Sequence, residues 1–342
     1  MFRSVLLAAT AISLPLFASA QVLVPEGIEG SVLHVNPTTS ATTRITGLDN
    51  VHGLAVAPKS GLIIAGSLSE TSRSDMAAVS KPAGVSEEDH DAHHGGAKDT
   101  AMDSEAVSIV TVLDLESHAL RAKIEVPGMV HHVEVSSDER FAAVTHPGLD
   151  GVSIIELASG TVTTINTGPI PEYAVADPQS GYFLVSNAGN NTVSEVDPDR
   201  GVVLRNIVLE GGPKHMQLTN DRRLVVAEAD EGMVSVIDVA NGTVGSRFDI
   251  GGELHGVQSD GQAIYVAARE RDAIVRIDLA SGNMTERTLG PEPYHATLVG
   301  DALYVSSAAE PRIWVIDPAT LETRGEIETN GVAHQMAPLP AG

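Results

Sequence analysis

The stretch FLVSNAGNNTVSEVDPDRG, residues 183–201, holds two apolar β-type runs, a short turn rich in Asn and Gly between them, and an acidic residue followed by a second turn. The acidic residue of this pattern recurs along the chain at spacings of 42, 41, 41, 40 and 39 residues. A period near forty, with four short strands in each unit, predicts the blades of a β-propeller. The recurring acidic residues are Asp114, Glu156, Asp197, Asp238, Asp278 and Asp317.

The number of repeats predicts an all-β, seven-bladed β-propeller. Six complete first strands begin near residues 51, 130, 172, 214, 254 and 294, and a seventh, VAHQMAP, lies at the C-terminus. No chain remains there to complete a blade, so we expect strands from residues 21–46 to join this last strand and close the ring, which removes two exposed sheet edges. The predicted organisation is a single propeller domain over residues 21–342.

The first twenty residues have the pattern of a secretory signal peptide. Arg3 precedes an apolar run from Val5 to Phe17, and the small residues Ala18 and Ala20 precede the expected cleavage point. No later stretch approaches the 18 apolar residues of a membrane span. We therefore expect an exported, periplasmic protein with no membrane insertion.

Composition restricts the chemistry of any site. The chain has no Cys, 45 acidic and 21 basic residues, and a net charge of −24. Without Cys there are no disulfides, thiolate ligands or thiol nucleophiles. The negative charge disfavours nucleic acid as a partner and concentrates cations at the surface. A bound metal must be held by His, Asp, Glu or Met.

Six of the seven first strands carry His at their second position, and Tyr173 occupies the seventh. The first strand of a blade is the innermost, so these positions should surround one mouth of the central channel. Neutral imidazoles facing one another suit Zn2+, with copper as the alternative ion. Three or four would bind one ion, and the interruption at Tyr173 favours the arc that omits His215. The six candidates are His52, His131, His215, His255, His295 and His334.

The first blade contains an insertion, since His52 and Asp114 are about 38 residues further apart than the equivalent pairs. The other spacings place it at about 69–106, between the second and third strands and on the face of the histidines. It includes EEDHDAHHGGAKD, residues 87–99, with His90, His93 and His94. We predict a flexible loop with a weaker secondary metal site, because its ligands must be ordered on binding. An idle solvated linker is the alternative.

The remaining histidines receive less specific predictions. His146 ends a second strand and is either a further ligand or a turn residue before Pro147. His132 alternates away from His131 and is either a packed core residue or a group supporting a ligand. His34 and His118 lie in outer strands or turns and are interpreted as structural.

The repeats resemble a known family. YVAARERDAIVRIDLASG (residues 265–282) and YVSSAAEPRIWVIDPATL (residues 304–321) are similar to the units of YVTN-type propellers. With the signal peptide, the histidine ring and the His/Asp-rich insertion, the chain resembles the periplasmic zinc metallochaperones of the AztD family. That resemblance implies a Zn2+ carrier that passes its ion to the periplasmic solute-binding protein of a zinc ABC transporter, and it implies that the protein is not an enzyme.

Two other functions are compatible with the sequence. A histidine-lined hub can hold copper in a binding or redox propeller, and Met216 and Met336 lie beside or near ring histidines. Methionine more often fills core space, however, and the chain lacks the Cys ligands of a second copper centre. The third possibility is a protein-interaction scaffold in which the histidines bind no metal.

Overall fold

The computed structural model describes residues 20–37, 41–73 and 105–339, and these form an all-β structure of seven sheets around one axis. The predicted seven-bladed propeller is confirmed. Residues 1–19 of the predicted signal peptide lie outside the described residues, as does most of the predicted insertion at 69–106. Within that range, Thr71–Ser72 forms a short strand that pairs with Ala106 and Val107.

The sheets are antiparallel, and each has four or five strands. The sheet that contains the N-terminus comprises β1 (Gln21–Pro25), β2 (Ser31–Asn36), β3 (Ala41–Thr46) and the last strand, β29 (Ala337–Leu339). We call it blade 7. Blade 1 comprises β4 (Val51–Ala57), β5 (Leu62–Ser67), β6 (Thr71–Ser72), β7 (Ala106–Asp114) and β8 (Leu120–Pro127).

The other five blades follow in chain order with four strands each. Blade 2 comprises β9 (Val133–Val135), β10 (Phe141–His146), β11 (Gly151–Glu156) and β12 (Val162–Asn166). Blade 3 comprises β13 (Pro171–Ala176), β14 (Phe183–Asn187), β15 (Thr192–Asp197) and β16 (Val202–Val208). Blade 4 comprises β17 (Pro213–Leu218), β18 (Arg223–Glu228), β19 (Met233–Asp238) and β20 (Thr243–Asp249).

Blade 5 comprises β21 (Val257–Ser259), β22 (Ala263–Ala268), β23 (Ala273–Asp278) and β24 (Met284–Thr288), and blade 6 comprises β25 (Pro293–Val299), β26 (Ala302–Ser307), β27 (Arg312–Ile316) and β28 (Thr323–Glu328). Three single turns of 3-10 helix join second to third strands. They are Pro147–Leu149, Ala188–Asn190 and Arg269–Arg271.

The hydrophobic core is divided among the seven interfaces between neighbouring blades. Each interface has its own buried apolar cluster, and blade 7 shares one with blade 6 and another with blade 1. The last strand of the chain pairs with the first, with Gln21 opposite Leu339. Because every blade is packed on both faces, burial drives the ring together as a whole.

The recurring aspartates cap the turns between third and fourth strands. Asp114 Oδ1 accepts the backbone N–H of Ser117 at 2.8 Å, and Asp317 Oδ1 accepts that of Thr320 at 3.0 Å. Hydrogen bonds and the Arg324 guanidinium lower the pKa of Asp317 to about 2. The recurring aspartate therefore stabilises the turn, because its short side chain accepts hydrogen bonds from backbone N–H groups that a tight turn leaves unpaired.

Close approach of backbones near the axis requires glycine at particular positions. A Cβ at Gly256, just before β21, would lie 2.5 Å from the Ala296 nitrogen and 2.7 Å from the Tyr294 oxygen. A Cβ at Gly53 in β4 would lie 2.9 Å from the Val133 nitrogen. These contacts are with backbone atoms of the next blade, so a side chain there would push the blades apart.

We expect Gly256→Ala to lower the free energy of unfolding by about 1–3 kcal/mol, the usual cost of overpacking. Gly325→Ala is the matched control, because a Cβ at Gly325 in β28 meets nothing within 4 Å. That control should change stability by less than about 0.5 kcal/mol. Urea denaturation of both variants measures the difference. Equal stability of the two variants would contradict the packing argument.

Candidate metal centre

The candidate ring residues sit where the first strands depart from regular pairing. In four blades the register of the first strand shifts across this position, between Val51 and Gly53, Pro171 and Ala174, Pro213 and Met216, and Pro293 and Ala296. In the other three blades the histidine lies just before the strand; these are His131, His255 and His334. An irregularity of this kind re-aims a side chain, and here it turns the imidazoles into the mouth of the channel.

The six imidazoles form two neighbouring groups. On one side, the His215 ring centroid lies 4.1 Å from that of His255 and 4.9 Å from that of His295, and His255 and His295 are 4.8 Å apart. On the other side, His52 lies 4.6 Å from His131 and 4.2 Å from His334. His295 links the groups, at 6.3 Å from His52 and 6.1 Å from His334.

His215, His255 and His295, which we call the triad, have ligand atoms that all lie within 4.8 Å of one another. Among the described residues, this is the group of three histidine or carboxylate side chains close enough together to share one metal ion. Nitrogens bound to one tetrahedral Zn2+ are about 3.3 Å apart, given Zn–N bonds of about 2.0–2.1 Å. Small side-chain rotations would therefore close the triad around an ion.

Two triad nitrogens have no protein partner. His255 Nδ1 and His295 Nε2 are buried, and neither atom donates or accepts a hydrogen bond. The three side chains are 4–9% exposed, so water reaches them poorly. Buried polar atoms normally have partners. Unpartnered imidazole nitrogens in a group of three neighbouring histidines fit an N-donor metal site.

Burial keeps the triad neutral. It is the largest cause of the lowered pKa of His215, which falls to about 3 with a contribution from the neighbouring charges of His131 and Lys214. Burial, followed by the facing imidazoles, also holds the pKa of His255 and of His295 well below the usual range. Neutral imidazoles carry the lone pair that a metal ligand needs, so no proton competes with the ion near neutral pH.

The interruption at Tyr173 predicted an arc without His215, but the structure places His215 in the triad. Tyr173 does interrupt the ring, with its own ring 4.8 Å from that of His215. However, blades 4, 5 and 6 are consecutive, so His215 stays next to His255. His52, His131 and His334 lie in the same mouth, and their assignment as ligands stays a prediction. His90, His93 and His94 lie outside the described residues.

Tyr294 is a site residue that the sequence analysis did not identify. Its ring lies 3.6 Å from the His255 ring, at an interplanar angle of 30°, and the Arg269 guanidinium lies 5.6 Å from its centroid. Glu253 and Glu292 pair with Arg269. This stack holds the His255 imidazole in place. The available signal was the position of Tyr294 directly before a ring histidine.

His132 and Tyr173 form a polar pair in the channel. His132 Nδ1 accepts the Ala174 N–H at 3.2 Å, and the two rings are 3.5 Å apart. His132 is buried with Nε2 unpartnered. Nearby, Glu134 accepts the Ala176 N–H, and burial raises the pKa of Glu134 to about 7. His132 is therefore a packed, buried residue, and its role as a group supporting a ligand stays a prediction.

His146 is structural. Its Nδ1 lies 2.9 Å from the Met129 oxygen and its Nε2 lies 2.7 Å from Ser153 Oγ, so both ring nitrogens are used within blade 2. At the equivalent end of the second strand in blade 4, Glu228 also bonds to the preceding loop, but there it accepts the Gly211 N–H.

No known protein family matches this chain, and no curated protein matches its sequence. Solved structures are similar in fold. The periplasmic gluconolactonase PpgL of Pseudomonas aeruginosa is 17% identical, with a TM-score of 0.68 over 94% of this chain and 99% of that one. AztD of Citrobacter koseri is 11% identical, with a TM-score of 0.59 over 94% and 98%. The predicted resemblance to AztD is confirmed at the level of the fold.

A third similar structure is dihydro-heme d1 dehydrogenase NirN in complex with DHE, 14% identical with a TM-score of 0.63. The match covers 93% of this chain and 66% of that one. The prediction that the protein is not an enzyme is wrong, because a gluconolactonase and a dehydrogenase have the same propeller fold. The fold does not exclude catalysis. Among the described residues, no helix has the length and apolarity to cross a membrane.

We expect the metal-free protein to lose stability as the pH falls from about 6.5 toward 5. Burial lowers the folded-state pKa of five ring histidines below the unfolded value of about 6.5, so in this window the unfolded chain binds more protons. They are His52, His215, His255, His295 and His334. Each such histidine contributes a slope of up to about 1.4 kcal/mol per pH unit. Glu134, whose pKa is raised, acts in the opposite direction, but it is one group against several.

Urea unfolding at pH 7.0, 6.0 and 5.0 with a chelator present measures this dependence. His215→Gln should make it shallower, since the variant removes one group whose pKa differs between the states. His118→Asn serves as the control, because His118 lies in an outer turn with a φ of 58°, which Asn tolerates. A free energy of unfolding that is constant from pH 7.0 to 5.0 would refute the neutral-imidazole account.

Proposed function

We propose that this protein is a periplasmic carrier that binds Zn2+ at His215, His255 and His295 and passes the ion to the solute-binding protein of a zinc ABC transporter. The observation that carries the proposal is the triad itself. Three neutral, buried imidazoles have ligand atoms within 4.8 Å of one another, and two of their nitrogens have no partner.

Three histidines suit Zn2+ better than other common ions. Imidazole nitrogen is a favoured zinc ligand, and Ca2+ or Mg2+ would require oxygen. Copper also binds imidazole, but both methionines near the ring histidines pack in apolar clusters, Met216 between blades 3 and 4 and Met336 between blades 6 and 7. The absence of Cys from the sequence also disfavours a thiolate copper centre.

An incomplete ligand set supports transfer to another protein. Three protein ligands leave the fourth position of a tetrahedral ion open. An incoming ligand from a partner can then bind the ion before the carrier's own ligands release it. The resemblance to AztD, together with the shared fold, supports this role and the periplasmic location.

Replacing His295 with Ala should weaken Zn2+ binding by more than about 100-fold, since loss of a group that merely supports a ligand already costs about 10–100-fold. His215→Ala and His255→Ala should behave alike. His118→Asn should bind as the wild type does. Competition titration against a chelator of known affinity measures the four variants and the wild type.

If the wild type fails to bind Zn2+ more tightly than the triple Ala variant of the triad, the carrier proposal is wrong. Transfer is tested separately by mixing the zinc-loaded protein with a candidate solute-binding protein in the presence of a chelator. Direct transfer predicts that the acceptor fills faster than free Zn2+ would allow.

A second candidate function is metal-assisted hydrolysis of a lactone. A divalent ion held by three histidines with an open position supplies Lewis-acid chemistry, and a gluconolactonase shares the fold. The zinc-loaded protein should then hydrolyse gluconolactone faster than the spontaneous rate, and His295→Ala should abolish the excess. A rate equal to that of the triad variant would exclude this activity.

A further inference from the structure

The triad residues are buried, at 4–9% exposure, so an ion must pass neighbouring side chains to reach them. His131 and Glu172, at the border of blades 2 and 3, are only partly buried, and their side chains are 20% and 18% exposed. His334 is also partly exposed. His131 and Glu172 thus form a histidine–carboxylate pair that solvent can reach beside the ring.

The hydrogen bonds of His131 determine which nitrogen is free. Its Nδ1 lies 2.9 Å from the backbone oxygen of Glu172. A carbonyl oxygen can only accept, so Nδ1 carries the proton and donates it. In the neutral ring, Nε2 therefore presents its lone pair. A histidine whose Nδ1 is anchored to a backbone carbonyl is the common arrangement for a metal ligand.

The free nitrogen of His131 faces a carboxylate oxygen. His131 Nε2 and Glu172 Oε2 are 3.4 Å apart. Two lone-pair atoms with no hydrogen between them repel, and the repulsion is relieved either by a proton on Nε2, which makes a salt bridge, or by a cation bound to both atoms. Two ligands of one tetrahedral Zn2+, each with a bond of about 2.0–2.2 Å, are separated by about 3.3–3.5 Å. The observed separation is already that of two zinc ligands.

The ring connects this pair to the triad. The His52 ring lies 4.6 Å from His131, and His52 Nδ1 donates to the His131 oxygen at 2.7 Å. Its Nε2 is thus also available as a lone-pair donor. His52 in turn lies 6.3 Å from His295 of the triad. Imidazole rings therefore form a continuous series from His131, through His52, to His295 of the triad.

We propose that His131 and Glu172 form an outer binding site for a divalent cation, which an ion occupies transiently as it enters or leaves the triad. This inference rests on the proposed function of the triad for its role in transfer, but the outer site has its own ligands and can be detected alone. One imidazole and one carboxylate, both partly exposed, bind weakly and exchange quickly, as an entry site should.

An intermediate site makes a kinetic prediction. Glu172→Gln keeps the size of the side chain and can still hydrogen-bond His131, but it removes the anionic ligand. The barrier to ion movement then rises in both directions, so the association and dissociation rates of Zn2+ should fall by the same factor, about tenfold for a barrier raised by about 1.4 kcal/mol. The equilibrium dissociation constant of the triad should change less than twofold.

Glu29→Gln is the matched control, because Glu29 is an exposed acid in the loop between β1 and β2 on the same face. It removes the same charge without touching His131, so it isolates general electrostatic attraction. Stopped-flow uptake of Zn2+, and its release to a chelator, measure the rates. Equal rates in wild type, Glu172→Gln and Glu29→Gln would overturn the outer site, as would an equal slowing in both variants.

A second measurement separates this inference from the function of the triad. In a variant with His255 and His295 both changed to Ala, the outer pair should still bind Co2+ weakly, and adding Glu172→Gln should remove that binding. Co2+ absorption and the imidazole NMR signals of His131 report it. Weak binding that survives Glu172→Gln would refute the outer site, whereas failure of the wild type to bind Zn2+ tightly would refute the carrier proposal.

Discussion

Seven innermost strands have to converge on one axis, and the site depends on this convergence. Neighbouring backbones come so close that a Cβ at Gly256 would meet backbone atoms of blade 6 at 2.5 Å. A side chain that leaves the regular ladder at the start of such a strand therefore has only the channel mouth to enter. Because the same position does this in each blade, a residue type repeated in the sequence becomes a ring of neighbouring groups in space.

Burial gives the ring its chemistry. An imidazole in water shares its lone pair with protons near neutral pH, but a buried one holds a charge poorly. The facing rings strengthen this effect, because each protonation would place a charge beside the next histidine. The mouth therefore presents nitrogen donors without competing protons, at the cost of acid stability. A bound cation would be attracted by the lone pairs of the neutral imidazoles, which have no such partner in the metal-free ring.

The six histidines are not spaced evenly around the mouth, and the proposed function depends on how they are grouped. Blades 4, 5 and 6 bring three imidazoles together with Tyr294 stacked on one side. Blades 1, 2 and 7 bring three more, two of which are anchored to backbone carbonyls. Tyr173 interrupts the ring between the two groups on one side. A buried group of three histidines therefore lies beside a partly exposed group that includes the contact between His131 and Glu172.

Much of this follows from sequence. The spacing of the acidic turn residues determined the length of a blade, because a capped turn recurs where third and fourth strands meet. The seven first strands determined the blade number, and the histidine register determined which residues share a mouth. Tertiary structure decided the rest. Repeat spacing contains no information on side-chain direction. Local register shifts and packing between blades therefore decide that His215 joins the triad, that His146 bonds to Ser153 and Met129, and that His131 faces Glu172.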